Sequence, residues 1–218
     1  MDYQIQALSR FLAGQMRTDE DQRRIEQAIA ALDARHGLAA KIAREPGVEE
    51  IVKQMVGRLT NAYPDLSTLA GQRVLDIACG SSTSKAPPLL IVHSPFGDQK
   101  VKIPGVKGYT AQFEPWFCRI GLALDAQPVG VDIGELDGED FEHYRADLGQ
   151  AGALDFLADA SFDAAQDSRL FGSPEFTAQF PEMADRVRVA AEIRRQEQRL
   201  LKPGGRVIHS DAEALLRR

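Results

Sequence analysis

Apolar residues recur at helical spacing through the first seventy positions and in short continuous runs afterwards. Ile25, Ile29 and Leu32 fall on one face of a segment introduced by Thr18. Asp21 follows three positions on, within an acidic first turn, so Thr18 and Asp21 predict a capping box. Gly37 predicts a stop or a break, and "EPG" at 45–47 punctuates the chain again. Val48, Ile51, Val52, Met55 and Leu59 form a second stripe that Pro64 ends. Residues 1–70 are therefore expected to be a helical N-terminal extension or lid.

From Gly71 the pattern changes. "RVLDIA", "PVGVDIG" (128–134), "HYRADL" (143–148), a run within "ASFDAAQDSRLF" (160–171) and "GGRVIHSD" (204–211) read as successive strands. "QFEPWFCRIGLALDA" and "PEMADRVRVAAEIRRQEQRLL" read as helices between them, the second stopping at "KPGG". Strand and helix in alternation predict an α/β fold, a parallel sheet with helices on both faces. In such sheets a ligand sits at the carboxyl ends of the strands. Asp76, Asp132, Asp147 and Asp167 are expected there, with the small-residue loop Ala78–Cys79–Gly80–Ser81–Ser82 after the first strand. "LLIVH" and "QKVKI", separated by the turn-rich "SPFGD", predict a β-hairpin insertion at about 83–110, with residues 86–108 as a flap over the site.

These stretches resemble the class I S-adenosylmethionine-dependent methyltransferases over about residues 71–211. "VLDIACGSS" is similar to that family's first motif, "VGVDIG" to the second, "YRADL" to the third, and "LLKPGGRVIHSD" to its helix–turn–strand ending. The resemblance implies a Rossmann-like sheet and S-adenosylmethionine as cofactor. It implies cofactor contacts from Asp76, Ala78, Gly80, Ser81, Ser82, Asp132, Ile133, Asp147, Leu148 and Asp167. Asp132 would accept hydrogen bonds from the ribose hydroxyls and Asp147 would meet the adenine amino group. Asp76 either bonds loop amides or touches the cofactor. Asp167 either faces the methyl acceptor, with Ser168 and Arg169, or acts as a cap for a later stretch of the chain. Ser82 stands where the family usually has a glycine. The family's last two strands have no counterpart before the sequence ends, so the fifth strand is expected at a sheet edge. A symmetric partner, as in a homodimer, is one way to cover it.

Independent chemistry points the same way. A dinucleotide site needs three spaced glycines opening a helix that holds a pyrophosphate, and this loop offers Gly80 alone. An acid at the second strand suits a diol and disfavours a phosphorylated ribose. The formal net charge of −6 and a pI near 5.3 give no global basic field, so neither nucleic acid nor an anionic membrane is an expected partner. The acceptor is therefore expected to be a small molecule. No catalytic residue is assigned, because alignment of an acceptor with a reactive methyl requires no particular side chain. His93, His143 and His209 are scattered and suggest no metal site. Cys79 and Cys118 lack metal or redox spacing and read as reduced and buried. The opening residues carry no leader-like apolar run, and a cytoplasmic protein is expected. A rival function stays open: a methyltransferase-like fold kept as a binding module without catalysis.

Overall fold

The computed structural model describes residues 3–81, 85–86, 89–92, 99–102, 108–167, 170–171 and 173–217. The chain opens with helices α1 (Tyr3–Ala13), α2 (Asp19–His36), α3 (Leu38–Arg44) and α4 (Gly47–Ala62). Thr18 caps α2 as expected: its hydroxyl oxygen accepts from the Asp21 amide at 3.1 Å and donates to the Asp21 carboxylate at 2.9 Å. The other Asp21 oxygen accepts from the Leu66 amide, which ties α2 to the turn beyond α4. Gly37 ends α2 in the left-handed region, φ 61°, where glycine carries no Cβ penalty.

Strand β1 (Arg73–Ile77) follows, then β2 (Lys85–Ala86), β3 (Leu89–Val92), β4 (Gln99–Lys102) and β5 (Gly108–Tyr109). β3 and β4 pair antiparallel from Leu89 opposite Lys102 to Val92 opposite Gln99. β2 and β5 pair antiparallel below them. The inserted segment is thus a two-level antiparallel ladder. Helix α5 (Trp116–Ala123), strands β6 (Gln127–Asp132), β7 (Glu142–Arg145) and β8 (Phe162–Asp167), helices α6 (Pro174–Gln179) and α7 (Met183–Leu200), strand β9 (Leu201–Ser210) and helix α8 (Asp211–Leu216) complete the chain.

β1, β6, β7, β8 and β9 form one parallel sheet in the order β7-β6-β1-β8-β9. The chain moves outward from β1 to β7, then returns to β8 on the other side of β1. That reversal is the switch point of a Rossmann-like α/β fold. β9 stands at the edge, as the sequence suggested. The third strand is shorter than expected, so Asp147 and Leu148 lie in the loop after it. The fifth begins earlier, at Leu201, and its register with β8 slips twice.

The period-2 alternation of the strands divides the core into two layers. Val74, Ala126 and Ala164 pack with Ile5, Leu8, Ile25, Ile29, Val52, Leu59, Trp116 and Ile120, so α1–α5 and one sheet face share a single core. Leu75, Ile77, Val129, Val131 and Ala165 pack on the opposite face with Leu154, Leu157, Val189, Ile193 and Leu200. No helix among the described residues is long and apolar enough to cross a membrane.

Candidate functional site

The site is assembled from the loop after β1 and the carboxylate at the end of β6. The Gly80 amide donates to Asp132 Oδ2 at 2.9 Å, and the Gly134 amide donates to Asp132 Oδ1 at 2.8 Å. The Cys79 amide donates to the Val131 carbonyl and the Ser81 amide to the Phe113 carbonyl. Each of these three loop amides is therefore bound to protein, which holds the loop in one shape. Gly80 has φ 90°, and a Cβ there would come within 2.1 Å of the Phe113 carbonyl oxygen. The glycine is demanded by a neighbouring stretch of backbone as well as by its own dihedrals. Ala78 adopts φ 60° without being glycine, a strained position that the surrounding bonds impose. Gly134, which sequence reasoning did not single out, is equally constrained: its Cβ would meet Ser81 Oγ at 2.1 Å. The "VDIG" stretch held that signal, since a glycine two residues past the acid fits a close approach.

Asp132 is half-buried, and Ile133 beside it is 50% exposed. The next strand end lies close: the Ala146 amide donates to the Asp132 carbonyl, and Arg145 Nε donates to the Ile133 carbonyl at 3.0 Å. Asp147 accepts from the Gly149 amide at 3.0 Å and from Gln150 at 3.1 Å, which shapes the following turn. Leu148 is buried in the core of the α7 side. Gly80, Ser81, Asp132, Ile133 and Asp147 are therefore gathered at one end of the sheet's carboxyl edge. Ser82, Ser168 and Arg169 lie outside the described residues.

The other two acids have different surroundings. Asp76 sits within β1 and is buried. Its Oδ1 accepts from Gln166 Nε2 at 2.9 Å, and the Cys118 thiol lies 3.7 Å from Oδ2. Burial raises its pKa to about 7, opposed by Gln166 and by the charge of Arg58. Of the two readings open for Asp76, neither loop amides nor a surface-facing contact matches these partners; the acid is an internal brace between β1 and β8. Asp167 is also fully buried. It accepts from Ser210 Oγ at 2.5 Å and from the amides of Asp211 and Ala212 at 2.8 and 3.1 Å. It caps α8, the second of the two roles its position allowed. Glu197 of α7 is buried against it, and burial together with the Asp167 charge raises the Glu197 pKa to about 8. Cys79 and Cys118 are buried free thiols, and desolvation pushes both pKa values up, that of Cys79 to about 11. Neither is a ready nucleophile.

A buried ionic cluster fastens the N-terminal helices to this edge. Glu114 accepts from Lys41 of α3 and from Arg119 of α5. Arg119 also makes a paired contact with Glu139, in the loop after β6, at 3.0 and 2.6 Å. Lys41 and Arg119 both lie over the Trp116 ring, 5.4 and 5.0 Å from its centre. Glu45 accepts from Thr110 Oγ1 at 2.7 Å and from the Ala111 amide at 3.0 Å. Since Phe113 holds the Ser81 amide, α3 reaches the β1 loop through a short stretch of backbone. The sequence carried no local sign of this cluster, because its members come from separate elements. Comparison of the chain with family models, with curated proteins and with solved structures found no match.

Proposed function

We propose that the protein is an S-adenosylmethionine-dependent methyltransferase acting on a small-molecule acceptor. The observation that carries this reading is the Gly80–Asp132 hydrogen bond, which sets a strand-end carboxylate against a small-residue loop beside the switch point. The residues suit the group. A carboxylate has about four acceptor positions, so two backbone amides do not exhaust Asp132, and a ribose diol is its natural partner. Ile133 presents an exposed apolar surface next to that acid, fit for one face of an adenine ring. Asp147 and the backbone of its turn supply polar groups for the ring edge. A phosphate-bearing cofactor suits the site less, because the amides of Cys79, Gly80 and Ser81 are turned onto protein acceptors.

When bound, the cofactor supplies a methyl group on an electrophilic sulfonium. The chain itself contributes placement: Asp132 and the β1 loop fix one partner, and the edge toward β8 and β9 is left for the other. The net charge of −6 favours a small acceptor over a nucleic acid.

Titration calorimetry with S-adenosylhomocysteine tests the reading. Affinity in the micromolar range, roughly −8 kcal/mol, is expected. Absence of heat with the folded protein overturns it, and preference for NAD transfers the site to dinucleotide chemistry. Binding without methyl transfer to any acceptor would favour the non-catalytic module.

A further inference from the structure

Among the half-buried cations of this fold, Arg58 of α4 is an exception. Arg24, Arg119, Arg194 and Arg199 each rest on a carboxylate: Asp125, Glu114 with Glu139, Glu197 and Asp159. Arg58 makes a single weak contact, to Met55 Sδ at 3.7 Å, and no described carboxylate lies within ion-pair distance. Burial disfavours its charge, and the acids that offset this are Asp211, then Asp76, then Asp167. All three belong to the carboxyl ends of β1, β8 and β9, so the guanidinium hangs over that part of the edge.

Beneath it runs a polar row. Asp76, Gln166 and His209 are register partners across β1, β8 and β9. Gln166 donates to Asp76 through Nε2, while its buried Oε1 has no hydrogen-bond partner. His209 Nε2 lies 2.8 Å from Asp211 Oδ1, and both side chains are about one-third exposed. The row is three strand spacings from Asp132 at its far end, roughly 14 Å. A ligand held at Asp132 and another held at His209 have separate seats.

We propose that Arg58, His209 and Asp211 form the acceptor subsite and that its occupant carries a zwitterionic amino-acid head group, its carboxylate on Arg58 and its ammonium on Asp211. This rests on the methyltransferase reading above. The charges select the class. A simple anion drawn to Arg58 would face Asp211 nearby, and a simple cation drawn to Asp211 would face Arg58. Because the guanidinium and the carboxylate stand apart from each other, a molecule with both signs of charge fits between them and satisfies each. Arg58 supplies a planar fork for the carboxylate, and His209 orients Asp211 toward the amine.

The same head group occurs on the cofactor's own tail, and the test separates the two sources. Full-length protein is titrated by NMR with glycine, observing Arg58 Nε–H and the His209 ring, with and without saturating S-adenosylhomocysteine. Glycine is expected to shift both signals in both conditions, acetate and methylamine at least tenfold more weakly. Arg58→Gln and Asp211→Asn, checked for folding by thermal melts, are each expected to weaken glycine at least tenfold. Glycine that leaves both signals unmoved overturns the proposal. So does displacement of glycine by S-adenosylhomocysteine when Arg58→Gln weakens that ligand but not 5′-methylthioadenosine, which lacks the tail; the subsite then belongs to the cofactor. If neither nucleoside binds the parent protein, the methyltransferase reading fails, while the glycine arm still decides whether Arg58 and Asp211 hold a zwitterion.

Discussion

Two ends of one sheet edge treat the same side chain differently. Asp132 and Asp167 both close apolar strands and both accept backbone amides. At the β6 end the acid is half-buried and bonds a glycine loop, so it faces both protein and solvent. At the β8 end the acid is sealed, bonds the first turn of α8 and shares its enclosure with Glu197. A strand-end acid is therefore a site only where the chain after it turns away; where a helix starts against it, the acid becomes a cap.

The sharpest way to break that comparison is to delete each carboxylate in turn. Asp132→Ala is expected to lose about 2–4 kcal/mol of S-adenosylhomocysteine affinity, with about 1 kcal/mol of stability, measured by calorimetry and urea unfolding. Asp167→Ala should do the reverse. It leaves the Asp211 and Ala212 amides without their acceptor, at a cost of about 2 kcal/mol of stability, with affinity held within roughly twofold. Equal losses of affinity in the two variants would erase the distinction.

Glu197 sharpens it further. Its pKa is about 8 in the folded state against an ordinary 4.5, so between those values the folded protein holds a proton that the unfolded chain releases. Stability supported by that proton falls as pH rises through the window. Glu197→Gln should flatten the curve and gain on the order of 2 kcal/mol over the parent at pH 9 relative to pH 5. Parallel curves for parent and variant would show that the pair does not share a proton.

The smallest effect comes from the opposite sign. His36 packs near Arg119 and Lys41, and burial with those charges lowers its pKa from 6.5 to about 4. Here the unfolded chain takes up a proton that the folded state refuses, so stability falls as pH drops from 6.5 toward 4. Allowing for its exposed side, the loss is about 1–2 kcal/mol. His36→Gln should remove it in acid unfolding curves, and an unchanged acid limb would place the loss elsewhere.

How much of this was legible beforehand depended on range. Thr18, Asp21 and Gly37 act within a few residues and read directly as a helix start and stop. The strand–helix alternation led to a parallel α/β sheet, and "LLIVH" with "QKVKI" to an antiparallel pair. The roles of the acids were harder, because two register slips between β8 and β9 decide which of Gln166, Asp167, His209 and Ser210 meet. Asp167 looked like a site residue since nothing local says that α8 begins against it. Arg58 and the Glu114–Arg119 cluster were invisible for the same reason: their partners come from other elements.

The hydrogen bond from the Ser81 amide to the Phe113 carbonyl closes the inserted segment at its base, with the β2–β5 pair just above. Once the two stems are held together, the sheet no longer senses how much polypeptide lies between them. In polymer terms the segment is a pendant ring, and doubling its contour adds only about 0.6 kcal/mol of closure entropy. The domain can therefore tolerate wide changes of length and composition there while β1 and α5 keep their places.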